Sequence, residues 1–247
     1  MTIPLKSCLF LLLSAVSTAS AKTLLTNVTD NKIVSSGDFK TLGALKWQSS
    51  GILFDGCSDS VTFPIAIDKC FSLQLSASPK ENLQAPNADS PRQRIEFLTE
   101  GAADGATFRY SWKYYLSSKT GTTKNFFHLM QLLMRDGGPV IALDAVNDKV
   151  ALRDFVRDCP AKGCPSIDLD DFTDRTTAHD MLVTFGPNGA VQYTVKDSVG
   201  GKTLLSYSAT GEMGKSSTSL KFGMYRLAVD GMTAARAALG DFTVKKL

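Results

Sequence analysis

HDMLVTFGPNGAVQYTVKD, residues 179–197, decides the fold class. Apolar and polar side chains alternate on both sides of a short break, which is the period of a half-buried β-strand and not of a helix. The break holds Asn188-Gly189, a pair that accepts positive φ at both central positions of a tight turn. The stretch therefore predicts a β-hairpin turning on Asn188 and Gly189.

The same alternation recurs in ATFRYSWKYYL (106–116), NFFHLMQLLM (125–134), GPVIALDAV (138–146), KTLLSYSA (202–209), SLKFGMYRL (219–227) and GDFTVKKL (240–247). Gly, Pro, Asn, Asp and Ser, the residues that supply turn geometry, separate these runs. Helical signals are confined to DDFTDRTTAHDM (170–181) and GMTAARAAL (231–239), each long enough for a short turn or helix. The chain reads as all-β, two sheets packed face to face.

The first 21 residues have the pattern of an export signal: Lys6, an apolar run from Cys8 through Val16, then Ala19-Ser20-Ala21 as a cleavage site. Residues 22–247 then form one domain, because no Pro/Ser-rich linker or internal repeat divides them. Nothing later approaches the roughly 18 consecutive apolar residues of a membrane-spanning helix. A secreted protein with no membrane partner is expected.

Of five cysteines, Cys8 leaves with the signal, and Cys57, Cys70, Cys159 and Cys164 remain. An even set in an exported chain favours disulfides. Local pairing, Cys57 with Cys70 and Cys159 with Cys164, is the simplest of the three connectivities. A zinc site is the rival, but no paired C-x-x-C is present. The sequon Asn27-Val28-Thr29 offers a glycan acceptor. A net charge of +3 with interspersed signs argues against a nucleic-acid partner.

Three runs carry unusual polar residues. In PRQRIEFL (91–98), Ile95 and Phe97 alternate with Arg92, Arg94 and Glu96; in SLKFGMYRL, Phe222 and Met224 alternate with Lys221, Gly223 and Tyr225; in FFHLMQLLM, Gln131 alternates with Met130 and Leu132. Successive side chains point to opposite faces of a sheet, so each strand can bury one face and show Arg94, Gln131 or Tyr225 on the other. Neighbouring strands would bring them into one groove. His128 lies three residues from Gln131, which puts the two on opposite faces of a regular strand; only a β-bulge would restore His128 to the groove. His179, beside Asp180, is expected at a surface or turn without a role.

Such a groove suits removal of the proton α to a uronate carboxylate. The carbanion forms beside a negative charge, and donors around the carboxylate, Gln131 and Arg94, stabilise the enolate. Tyr225, with Lys221 favouring its phenolate, could abstract the proton or protonate the leaving oxygen. Each residue also has a plain structural use: Gln131 as a satisfied buried amide, Tyr225 as a packing aromatic, Arg94 as a partner of Glu96.

The three runs resemble, in order, the motif strands of jelly-roll polysaccharide lyases, the group containing alginate lyases and fungal glucuronan lyases. RIEF stands at an R-T-E-L-type strand, QLL at Q-I-H, and LKFGMYR at Y-F-K-x-G-x-Y; SSKTGTT before FFHLMQ is most similar to the glucuronan lyases, polysaccharide lyase family 20. The resemblance spans most of residues 40–247 and implies a concanavalin A-like jelly roll. It also implies a monomer acting on an acidic polysaccharide, and a Gln and Tyr pair at Gln131 and Tyr225. Leu133 replaces the histidine of Q-I-H, and Leu98 replaces the second arginine of the longer R-T-E-L-R pattern, which moves the base role to Tyr225 with His128 as helper. Arg92 and Lys221 are the expected substrate contacts. The resemblance further implies a structural calcium, placed at Asp241 with carbonyls near Gly37.

Two other activities compete with this reading. Hydrolases need two flanking carboxylates, and the glutamates Glu81, Glu96, Glu100 and Glu212 do not form a Glu-x-Asp-x-x-Glu strand. A lectin-like binder would stack sugars on aromatics such as Trp47, Trp112, Tyr114 and Tyr115.

Overall fold

The computed structural model describes residues 23–27, 35–39, 45–57, 65–84, 90–157, 163–215 and 217–247. The export signal, Val28 and Thr29 of the sequon, and Cys159 lie outside the described residues.

Two eight-stranded antiparallel sheets face each other. The first contains β1 (Thr23–Asn27), β4 (Ile52–Asp55), β5 (Cys70–Leu75), β16 (Ala235–Lys246), β7 (Thr107–Leu116), β12 (Thr176–Thr184), β13 (Gly186–Asp197) and β14 (Thr203–Met213), in that spatial order. The second runs β11 (Ser166–Asp168), β10 (Lys149–Asp154), β9 (Pro139–Val146), β8 (Phe127–Leu133), β15 (Ser219–Leu227), β6 (Arg92–Leu98), β3 (Leu45–Ser49) and β2 (Ser35–Phe39). The one helix among the described residues, α1 (Leu169–Phe172), is a single turn.

The core lies between the sheets, where the inward residues of the alternating runs meet. Trp112 of the first sheet stacks on Phe222 of the second at 5.1 Å, Phe222 on Phe242 at 5.3 Å, and Phe71 approaches Phe97 at 5.4 Å. Truncating a buried Phe of this kind to Ala costs about 3–5 kcal/mol, so the aromatic seam fixes how the sheets face each other. Tyr114 adds a polar stitch, its hydroxyl donating to the Gly223 carbonyl across the core at 2.8 Å.

Three local expectations are corrected. The hairpin β12–β13 forms, but Thr184 pairs with Ala190, and positive φ falls on Gly186 and not on Asn188 or Gly189. Gly189 is needed for room: a Cβ there would lie 2.1 Å from the Thr184 carbonyl oxygen. Residues 235–239 of GMTAARAAL extend in β16, pairing with both β5 and β7. A central strand satisfies the backbone on both edges, which overrides the alanines' helix preference. His179 is 2% exposed within β12, where it stacks on Trp112 at 4.8 Å.

Cys57 and Cys70 form a disulfide with a Cα–Cα distance of 5.5 Å, joining the end of β4 to the start of β5. Cys164 is also disulfide-bonded. Asn27 closes β1 opposite Ile52.

Candidate active site

The outer face of the second sheet gathers the polar residues of β6, β15 and β8. Along β6 and β15 alternation is regular: Arg94 stands opposite Tyr225, Glu96 opposite Gly223, and Leu98 opposite Lys221. Their inward neighbours Ile95, Phe97, Phe222 and Met224 are fully buried in the core. The outer parity of Arg94, Glu96, Lys221 and Tyr225 follows.

On β8 alternation breaks. Leu129 and Met130 both enter the core cluster, and the registers with β9 and with β15 each slip by one residue beside them. Against β9 the extra residue lies on β8, and against β15 it lies on β15 at Gly223–Met224; across this irregularity His128 and Gln131 share the outer face although three residues separate them. His128 lies opposite Tyr225 on one side and Asp144 on the other. The bulge, not regular spacing, delivers the histidine.

His128 Nδ1 is hydrogen-bonded to Asp144, whose carboxylate is 1% exposed. With the carboxylate as acceptor, Nδ1 is the donor of this bond, and Nε2 is the nitrogen left for other partners. Nε2 has no hydrogen-bond partner among the described residues. The imidazole packs against Phe126 at 4.9 Å and Tyr225 at 5.8 Å between centroids. Asp144 is the residue that the sequence reading missed; its signal was one carboxylate inside the apolar run GPVIALDAV.

Tyr225 is clasped by two arginines. Arg92 Nη1 donates to its hydroxyl oxygen at 2.8 Å, and the Arg94 guanidinium lies over its ring at 4.1 Å. Both cations offset negative charge on the oxygen when the phenol has given up its proton. Lys221 does not serve Tyr225 in this way: it stands four residues along β15, and its Nζ reaches Gln48 Oε1 at 3.5 Å. The contact made by Arg92 is likewise to Tyr225.

Gln131 Nε2 donates to Glu96 Oε1 at 2.6 Å, crossing above Gly223. Glu96, 1% exposed, also lies 3.0 Å from Arg94 Nε. That pair is an ion contact without hydrogen-bond alignment, because Arg94 Nε and Glu96 Oε2 have no aligned partner. Arg92 Nε and Asp144 Oδ2 are buried and unaligned as well. Burial lowers the Lys221 pKa; Glu96 opposes that shift and Arg94 adds to it.

Lys46, Leu98, Lys221, Gln131, Ala142 and Arg153 stand in one register row across six neighbouring strands. Arg153, half-exposed and 3.8 Å from Asp144, extends the cationic face beyond the motif strands. A depression of about 490 Å³ opens beside Lys221 at the other side.

Asp241 lies on the first sheet, away from this face. Its carboxylate accepts from the backbone N–H of Asp68 and Lys69 at 3.2 and 2.8 Å, and Lys113 Nζ is 2.9 Å away. Gly37 belongs to β2, in the opposite sheet. These residues do not fit a calcium ion, since donors and an ammonium already occupy the carboxylate. Among the described residues no group of three or more His, Cys, Asp or Glu could hold a metal.

No protein-family model matches the sequence, and no curated protein matches it. Solved structures do share the fold. An endo-β-1,4-glucuronan lyase from the fungus Trichoderma reesei superposes with a TM-score of 0.53 at 11% identity, covering 87% of this chain and 95% of that one. A family 7 alginate lyase in complex with substrate gives 0.52 at 13% identity, covering 77% and 83%. The same lyase with product gives 0.50 at 14% identity, covering 78% and 86%.

Proposed function

We propose that the protein is a secreted polysaccharide lyase that cleaves a β-1,4-linked polyuronate, glucuronan first among candidates, by β-elimination within the chain. The observation that carries this reading is the convergence, through the β8 bulge, of His128 with Tyr225, Arg94 and Gln131 on one recessed face. The shared fold with the glucuronan and alginate lyases supports the class of reaction. The stretch SSKTGTT before FFHLMQ, together with the fold shared with the Trichoderma reesei glucuronan lyase, favours glucuronan as substrate. The export-signal pattern supports secretion, as degradation of an external polymer requires. The register row crossing six strands suits an extended polymer and so action within the chain.

In the reaction, the substrate carboxylate rests among Gln131, Arg94 and Lys221. A base removes the C5 proton, the C5–H electrons become the C4–C5 double bond, and the C4–O bond breaks. The leaving oxygen then takes a proton. Tyr225, supported by Arg92 and Arg94, acts as base and then as donor to the leaving oxygen. His128, oriented by Asp144, is the second group able to take or give a proton at this face. Developing charge on the carboxylate meets donors already in place, which avoids reorganisation during the step.

Ultraviolet absorbance of unsaturated uronides, followed on glucuronan, alginate, polygalacturonate and a neutral β-glucan, tests the reading. A rise on one polyuronate that Tyr225→Phe and Gln131→Ala both abolish is the expected result. No rise on any polyuronate would leave a carbohydrate-binding protein, to be assayed by affinity for the same polymers.

A further inference from the structure

Tyr114 is a buried phenol that the reaction does not use. It belongs to β7, a central strand of the first sheet, and its ring packs in the core near Phe172 and His179, at 6.2 and 6.0 Å between centroids. Its hydroxyl crosses to the second sheet and donates to the Gly223 carbonyl at 2.8 Å. Burial holds the Tyr114 pKa far above the usual phenol range, so the hydroxyl keeps its proton and stays a donor.

The residue it touches is where β15 and β8 lose step. Phe222 pairs with Met130 and Tyr225 with His128, so Gly223 and Met224 together stand opposite Leu129. The pairing of β15 with β6 stays regular through the same residues. In step with β15, His128 would face Met224 and Tyr225 would face Phe127, and a one-residue slip of this kind turns side chains to the other face of a sheet. The meeting of His128 with Tyr225 therefore depends on a local bulge. Gly223, at φ +145, lets the backbone take that shape. A buried carbonyl keeps the direction in which it finds a donor, because leaving it unpaired is costly. Tyr114 supplies that donor from the opposite sheet.

We propose that Tyr114 is a positioning residue of the candidate site: by holding the Gly223 carbonyl from the core side, it fixes the β15 bulge that sets His128 beside Tyr225. Its kinetic consequence rests on the lyase reading, whereas its geometric consequence does not. The first sheet, which lends no side chain to the outer face of the second, thereby takes part in the alignment of the proton-transfer groups.

The test compares Tyr114→Phe with Tyr193→Phe. Each removes one hydroxyl and keeps the ring, so the core stays filled. Tyr193 is equally buried in the first sheet, but its hydroxyl bonds to His179 at 2.7 Å and not to β15, which makes it the control for lost stability alone. Two readouts are taken. Kinetics on the polyuronate that the unmodified protein cleaves should show kcat about ten-fold lower for Tyr114→Phe, with KM changed by less than about two-fold. Tyr193→Phe should lower the melting temperature by a similar amount and keep kcat. The second readout needs no turnover. The chain has two histidines, and His128 lies 5.8 Å from the Tyr225 ring, so its imidazole resonance in histidine-labelled protein reports their relative placement. His128→Ala assigns the signal. That resonance should shift or split in Tyr114→Phe and stay in place in Tyr193→Phe. Equal losses of kcat in the two variants would reduce Tyr114 to a packing residue and overturn the proposal, as would an unmoved His128 signal. If the unmodified protein cleaves no polyuronate but the His128 signal still moves in Tyr114→Phe alone, the lyase reading fails and the positioning role stands.

Discussion

Gln131 and Glu96 hydrogen-bond at 2.6 Å although their strands are not neighbours. β15 runs between them, and the residue it places opposite Glu96 is Gly223, which has no side chain to stand in the way. Glu96 in turn lies against Arg94, so a buried carboxylate sets the direction of both proposed carboxylate-binding groups.

Gly223→Ala tests the crossing. Gly223 has φ +145, and an added Cβ would fall 2.2 Å from the Ile95 carbonyl oxygen. Backbone strain and the clash together should cost about 2 kcal/mol or more. Thermal unfolding and lyase activity should fall together; an unchanged melting temperature would show that β15 tolerates the side chain.

Glu96→Gln tests orientation. The amide keeps an acceptor for Gln131 but removes the charge that faces Arg94 and Lys221. We expect kcat to drop about 10- to 100-fold with a smaller change in KM, and stability to fall by about 2 kcal/mol. A rise in KM alone would place Glu96 in uniform substrate binding and not in positioning.

Asp144→Asn tests the histidine. If Asp144 acts through His128, the double variant with His128→Ala should be no slower than His128→Ala by itself. Asp144→Asn alone should lower kcat at least about ten-fold. Additive losses would separate the two residues, and a purely structural His128 would show loss of stability without loss of kcat.

His179 supplies a pH dependence of stability far from the site. It is buried between Thr177 and Tyr193, with hydrogen bonds of 2.8 and 2.7 Å, and burial pushes its pKa down to about 3. The unfolded chain binds a proton near pH 6.5 that the folded one refuses. The neutral ring's contribution is therefore complete above pH 6.5 and lost as pH falls from there toward 3, at about 1.4 kcal/mol per unit. His179→Phe should cost about 1–3 kcal/mol at pH 7 by unpairing Thr177 and Tyr193. It should also remove about 2 kcal/mol of the difference between pH 7 and pH 5 in denaturant titrations. An undiminished difference would assign the acid sensitivity elsewhere.

The sequence alone determined the all-β class and the outward parity of Arg94, Lys221 and Tyr225, while the Cys57–Cys70 pairing was one of three connectivities until the structure chose it. Alternation is a local property, and β6 and β15 keep it through the register they share. It could not place His128, because a bulge is set by the two strands that flank β8 and leaves no mark in FFHLMQLLM. Nor could it find Asp144 as the histidine's partner, or the hydrogen bond from Arg92 to Tyr225, since both contacts depend on register between strands distant along the chain. His179 and the strand at residues 235–239 went the same way: local neighbours suggested surface and helix, and burial between two sheets decided otherwise. Which residues face outward was written in the spacing; which of them touch was decided by strand pairing, whose energy comes from partners far away in sequence.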